Sequence, residues 1–138
     1  MNYDIIFCAL PPYPIDRIYS APPLLKGIVE SAGFRARCFD FTLDLFNLCH
    51  RDPAEFSRVS GHLVSRSPEM TESDSDILEQ LYAHIVSTVK EHPSKYIGFS
   101  VFSYFTHKIV VELILRLQQA GLDDRIVLGG RGVTTTTC

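Results

Sequence analysis

The chain has 138 residues, 46% of them hydrophobic and 21% charged, which is enough apolar material for one sizeable core and too little length for two. A formal net charge of -3, with Lys and Arg scattered along the chain, supplies no basic field to follow a nucleic-acid backbone. No segment reaches the roughly 20 apolar residues of a membrane-spanning helix, and the start lacks the positive flank and cleavage site of a signal peptide, so a cytoplasmic protein without nucleic-acid or membrane partners is expected.

Residues 4 to 10 form a short continuous apolar run, as a strand covered on both faces would. The next segment, residues 11 to 23, carries five prolines and reads as a long loop leaving that strand. Leu24, Leu25, Ile28, Val29 and Ala32 then fall on one helical stripe opposite Lys26 and Glu30. Gly33 stands where a left-handed cap would close this helix. Gly27 inside it has two readings, close packing on the sheet or a merely tolerated glycine. Residues 35 to 40 return as a shorter strand with Arg35 and Arg37 alternating outward, the pattern of a sheet edge.

Residues 41 to 76 are the least legible and are expected to hold one or two short helices and a loop, as an insert. From Asp76 the repeat of Ile77, Leu78, Leu81, Tyr82, Ile85, Val86 and Val89 predicts a helix with Ser73, Asp74 and Ser75 as caps, stopped by Pro93. Residues 96 to 102 read as a second buried strand. A helix capped by Ser103 or Thr106 follows, carrying Phe105, Ile109, Val110, Leu113 and Leu117 inward and ending at Gly121. Residues 125 to 128 are a third buried strand running into Gly129 and Gly130. The Thr134 to Thr137 run suggests that residues 132 to 138 are a flexible tail or a truncated linker.

Strands alternating with amphipathic helices imply parallel pairing through right-handed crossovers. The expected fold class is α/β, a Rossmann-like or flavodoxin-like doubly wound sheet in three layers with strand order 2-1-3-4, occupying residues 1 to 131. In such sheets ligands sit outside the carboxyl ends of the strands. The places to look are therefore the proline-rich loop, the turn from Phe99 to Ser103, and Gly129-Gly130-Arg131. Each has a plainer reading. Gly-Gly is an ordinary turn, Ser100 can bond its own backbone, and a stiff proline loop can be a bare connection.

Several chemistries lack their residues. There is no G-x-G-x-x-G after the first strand and no G-x-x-x-x-G-K-[ST], so the backbone cradle of a nucleotide phosphate is missing. Asp4 and Asp40 are too far apart in the pattern for the carboxylate cluster of a phospho-receiver. The five histidines, His50, His62, His84, His92 and His107, stand at no metal-ligand spacing and read as surface or cap residues. Cys8, Cys38, Cys49 and Cys138 form no C-x-x-C pair, and Cys8 and Cys38 are expected as buried reduced thiols.

A strand ending in Pro-Pro-Tyr-Pro is followed by Pro22 to Phe34, reading Pro-Pro-Leu-Leu-Lys-Gly-Ile-Val-Glu-Ser-Ala-Gly-Phe, and by a strand closing on Asp40. Next come Tyr96-Ile97-Gly98-Phe99-Ser100 and Ile126-Val127-Leu128-Gly129-Gly130. In this order the pieces resemble the N-terminal cobalamin-binding domain of class B radical SAM enzymes, over residues 3 to 131 apart from the 41 to 76 insert. The resemblance implies a cobalamin-binding module of methyltransferase type that is not catalytic alone. It places Pro11, Pro12, Tyr13 and Pro14 against the corrin, Ser100, Val101, Phe102 and Ser103 around the nucleotide tail, and Gly129 and Gly130 where the tail passes the backbone.

Three departures qualify what the resemblance implies. The loop after the first strand has no D-x-H-x-x-G, so cobalt would have no protein histidine below it. A weaker lower ligand favours Co(I), the nucleophile that takes a methyl group from S-adenosylmethionine. The C-x-x-x-C-x-x-C that would hold a [4Fe-4S] cluster is also missing, so the cluster and S-adenosylmethionine would belong to a radical SAM domain or chain acting as partner. The usual fifth strand and closing helix have no counterpart after Gly130 either. The alternative is a degenerate Rossmann-like domain without cofactor that acts as a protein-interaction module. A weaker one is an unrelated flavodoxin-like binder of another small molecule.

Overall fold

A computed structural model describes residues 2–12, 21–64, 70–101 and 106–130. In chain order the elements are β1 (Tyr3–Ala9), α1 (Ala21–Ser31), β2 (Ala36–Asp40), α2 (Phe41–Leu48), α3 (Pro53–Gly61), α4 (Glu72–Glu91), β3 (Ser94–Ser100), α5 (His107–Gln119) and β4 (Ile126–Gly129). All strand pairs are parallel and the sheet order is β2-β1-β3-β4, as expected. The registers Ile6 to Ile97 and Ile97 to Ile126 keep side chains of like parity on the same face.

Right-handed crossovers then sort the helices. The step from β1 to β2 runs one way across the sheet and the steps to β3 and β4 run the other, so α1 lies on one face and the later helices on the opposite one. On the later helices' face, Ile6, Cys8, Ile97, Phe99 and Val101 are fully or almost fully buried. They pack in one cluster with Leu81 and Ile85 of α4 and Leu113 and Leu117 of α5. No residue of α1 belongs to that core.

The segment expected as an insert is part of the core. Phe41 and Leu45 of α2, Phe56 and Val59 of α3, and Leu63 after it are all buried there. Asp40 and Asp52 cap α2 and α3 by accepting from the backbone N–H two residues on, at 3.0 and 3.1 Å. Residues 65–69 lie outside the described residues.

Three boundaries depart from the sequence reading, each for a physical reason. Helix α1 begins at Ala21 and takes Pro22 and Pro23 into its first turn, where a missing N–H costs nothing. Helix α4 begins at Glu72, four residues before the apolar repeat, because the Thr71 hydroxyl caps the Asp74 N–H at 3.1 Å. Strand β4 is half-buried instead of buried, with Ile126 and Leu128 against the core and Val127 and Gly129 exposed.

Gly33 and Gly121 end α1 and α5 with φ of 92° and 74°, the left-handed region where a Cβ is unfavourable. In each case the next residue reaches back, Phe34 N–H to Val29 at 3.2 Å and Leu122 N–H to Leu117 at 2.9 Å. Gly27 has open space around it, so no close packing requires it. Cys8 and Cys49 are buried free thiols and Cys38 is only half-buried. Burial pushes the Cys8 thiol far above its usual range and Cys49 up to about 11. Among the described residues no helix is long and apolar enough to cross a membrane.

Candidate functional site

The parallel sheet gathers the carboxyl ends of β1, β3 and β4 at one rim, and a cavity of about 280 Å³ opens there on the α1 face. Its floor is Ile5 and Phe7 of β1, Gly98 of β3 and Val127 of β4, and its roof is Pro22 and Leu25 of α1. Ser100, Gly129 and Gly130 line its outer end. Ser100 carries the one polar side chain among the described residues that line it. The volume stands at the small end of ligand sites, suited to a flat bicyclic group and too small for a tetrapyrrole.

The floor is low because of its glycines. A Cβ on Gly98 would stand 3.3 Å from Phe7 Cδ1, and one on Gly129 would project into open space. Gly130 has a different task. Its φ is 113° and an added Cβ would lie 2.6 Å from the Val101 carbonyl oxygen. The Val101 N–H donates to the Gly129 carbonyl at 2.7 Å, so the two chain segments leaving β3 and β4 touch through backbone alone. Chain contact of this kind holds the rim narrow and leaves little room for a side chain.

Of the site residues expected from sequence, Ser100, Gly129 and Gly130 meet in this cavity. Val101 adjoins them through its backbone while its side chain is buried in the core. Pro11 is buried and Pro12 half-buried, and neither lines the cavity. Tyr13, Pro14, Phe102 and Ser103 lie outside the described residues. The sequence reading missed Ile5, Phe7, Leu25, Gly98 and Val127. The alternate parity of β1, β3 and β4 was the available signal, since every second residue faces α1.

A second cluster lies far from that rim in sequence. Asp74 and His62 are both buried, with His62 Nε2 2.9 Å from Asp74 Oδ2. Arg58 donates Nε and Nη2 to the same carboxylate at 3.2 and 3.1 Å. The half-exposed Arg58 guanidinium, and then His62, hold the Asp74 carboxyl below its usual range. Lys108 Nζ donates to the His62 carbonyl at 2.6 Å, tying α5 to the end of α3. His62 is therefore a buried residue at the end of α3, hydrogen-bonded to a carboxylate, and not a surface histidine. Asp74 acts as a tether between helices, while Thr71 is the cap.

A larger depression of about 860 Å³ lies at the opposite, amino rim. Of the charged side chains that line it, Lys95 is engaged with Asp4 at 3.5 Å and Arg125 with Asp124 at 3.8 Å, and Arg35 lines it as well. The carboxyl rim, where strand order reverses, remains the better candidate. Among the described residues, no three His, Cys, Asp or Glu side chains are grouped to hold a metal ion. Comparison with protein-family models, with curated proteins and with solved structures returns no match.

Proposed function

We propose that the chain is a cobalamin-binding module whose apolar cavity receives the base of the nucleotide tail while the corrin lies across the carboxyl rim. One observation carries this reading. A narrow apolar slot, floored by Gly98 and Val127 and bordered by Gly129, opens at the rim where the strand order reverses. Such a slot fits a flat aromatic edge, and Ser100 is the side chain at its mouth that could hydrogen-bond a ring nitrogen. The corrin itself is larger than the slot and would rest outside, toward the chain at Pro11 and Pro12.

The described residues that line the slot are apolar apart from Ser100, and the part proposed for the protein is to bind and orient. Bound cobalamin supplies methyl-carrying chemistry, and any [4Fe-4S] cluster and S-adenosylmethionine would come from a radical SAM partner. The test is to mix the purified chain with hydroxocobalamin, remove free ligand on a sizing column and record the visible spectrum. Corrin absorbance should travel with the protein and be lost in Gly129→Leu, which fills the slot. A folded wild-type chain without that absorbance would end the proposal. The second reading, a cofactor-free interaction module, draws on the three large apolar side chains that α1 leaves exposed, Leu24, Leu25 and Ile28.

A further inference from the structure

The α1 face of the sheet is only half covered. Helix α1 lies over β1 and β2, and nothing among the described residues lies over β3 and β4, where Tyr96 is 53% and Val127 45% exposed. On the helix, Leu24, Leu25 and Ile28 are 66%, 42% and 57% exposed, and Pro22 is its only buried residue. Going round α1 at about 100° per residue gives each of these a direction. Pro22 and Val29 point down at the sheet, Leu25 leans toward β3, Ile28 looks sideways across β3 and β4, and Leu24 points up. Lys26 and Glu30 pair with each other on the far side, over β2.

The apolar stripe of α1 is thus turned toward a helix seat beside it that no described residue fills. Gly98 and Gly129 keep that seat flat, and at its amino end Tyr96 borders the depression that also holds Lys95 and Arg125. One surface therefore carries both a ridge and the groove for a ridge. A patch of that kind is self-complementary under a two-fold rotation.

We infer that a second copy of this chain covers the bare half-sheet, with α1 of each copy seated on β3 and β4 of the other. The axis runs parallel to α1 between the two helices. Each sheet then has two helices on this face, its own over β1 and β2 and the partner's over β3 and β4. Leu24 meets the partner's sheet, and the two copies of Ile28 meet near the axis. The five exposed side chains offer roughly 500 Å² per copy at about 100 Å² each. With Ile5, Phe7, Pro23 and the glycine backbone added, this approaches the about 800 Å² per partner of a stable interface. A partner helix seated there covers Gly98, Val127 and Gly129 of the cavity, so this dimer and a corrin tail in the cavity exclude each other, and the inference does not rest on that reading.

The test is the mass of the full chain in solution by sedimentation or light scattering at micromolar concentration, where twice the monomer mass is expected. Ile28→Glu and Val127→Glu, on the ridge and in the seat, should each return the monomer with unchanged circular dichroism. Val111→Glu, on the exposed outer side of α5, should leave the dimer intact. Ile28→Cys, in a chain that also carries Cys138→Ser, should form an intermolecular disulfide on mild oxidation, and this holds the test open if a charged variant fails to fold. A monomeric wild type overturns the inference. So does a dimer that persists in both charged variants, or one whose Ile28→Cys copies do not cross-link, because either places the contact elsewhere, such as the β4 edge.

Discussion

Adjacent glycines at the end of β4 should respond to alanine in opposite ways. Gly129 has open space where a Cβ would go, so Gly129→Ala adds a methyl without contact. Gly130 has φ 113° and an added Cβ would lie 2.6 Å from the Val101 carbonyl oxygen, which is backbone and cannot swing aside. The backbone conformation alone costs an L-residue on the order of 1–3 kcal/mol. Relieving the overlap means moving the segments that leave β3 and β4 apart, at about 1–3 kcal/mol more by comparison with overpacked cores. Gly130→Ala should therefore lose about 2–6 kcal/mol, a large part of the 5–15 kcal/mol typical of a small domain, while Gly129→Ala stays within about 0.5 kcal/mol of wild type. Urea denaturation followed by circular dichroism reads both. Equal midpoints for the two variants would refute the close backbone approach at the rim.

Two further outcomes follow from burial and charge. Asp74 has its folded pKa held below 3.8, mainly by Arg58 and then by His62. Its ionisation therefore contributes stability in full above that value, and the contribution is lost as pH falls below 3.8 toward the folded pKa. Asp74→Asn should cost roughly 3 kcal/mol, the low end for a broken buried pair because Arg58 is half-exposed and screened. The gap between wild-type and variant urea midpoints should narrow from pH 5 to pH 2.5, and a gap independent of pH there would count against the tether. Ile85 and Ile28 are the same residue on two helices with 0% and 57% exposure. Ile85→Ala should cost about 2–5 kcal/mol by leaving a cavity, whereas Ile28→Ala should leave the unfolding free energy of the dilute monomer nearly unchanged, and equal losses would contradict the one-sided core.

The core face could be read from periodicity because α5 and most of α4 repeat apolar residues at three and four, with Ile109, Val110, Leu113 and Leu117 all buried as the pattern required. The same rule misled for α1, whose stripe is equally regular yet leaves Leu24, Leu25 and Ile28 exposed. Periodicity records which face of a helix is apolar and is silent on whether a neighbour exists to cover it. His62 escaped notice for a related reason, since its partners Asp74 and Arg58 lie on α4 and α3 and no local spacing announces the pair. Ser100, Gly129 and Gly130 were legible as site candidates because a known sheet order places strand ends at one rim, but the floor of the cavity needed the register of three strands.

Outside residues 41 to 76, the amino-acid sequence by itself pointed to the kinds and order of the elements, the parallel pairing and the strand order, since short apolar runs joined by amphipathic helices admit few right-handed windings. Only the tertiary structure decided that the rim closes to a slot of about 280 Å³ and that the sheet is buried fully on one face and half on the other. Those outcomes depend on contacts between residues distant in sequence, Gly130 on Val101 and α1 on β1 and β2, and no pattern along a single segment encodes a distance between two.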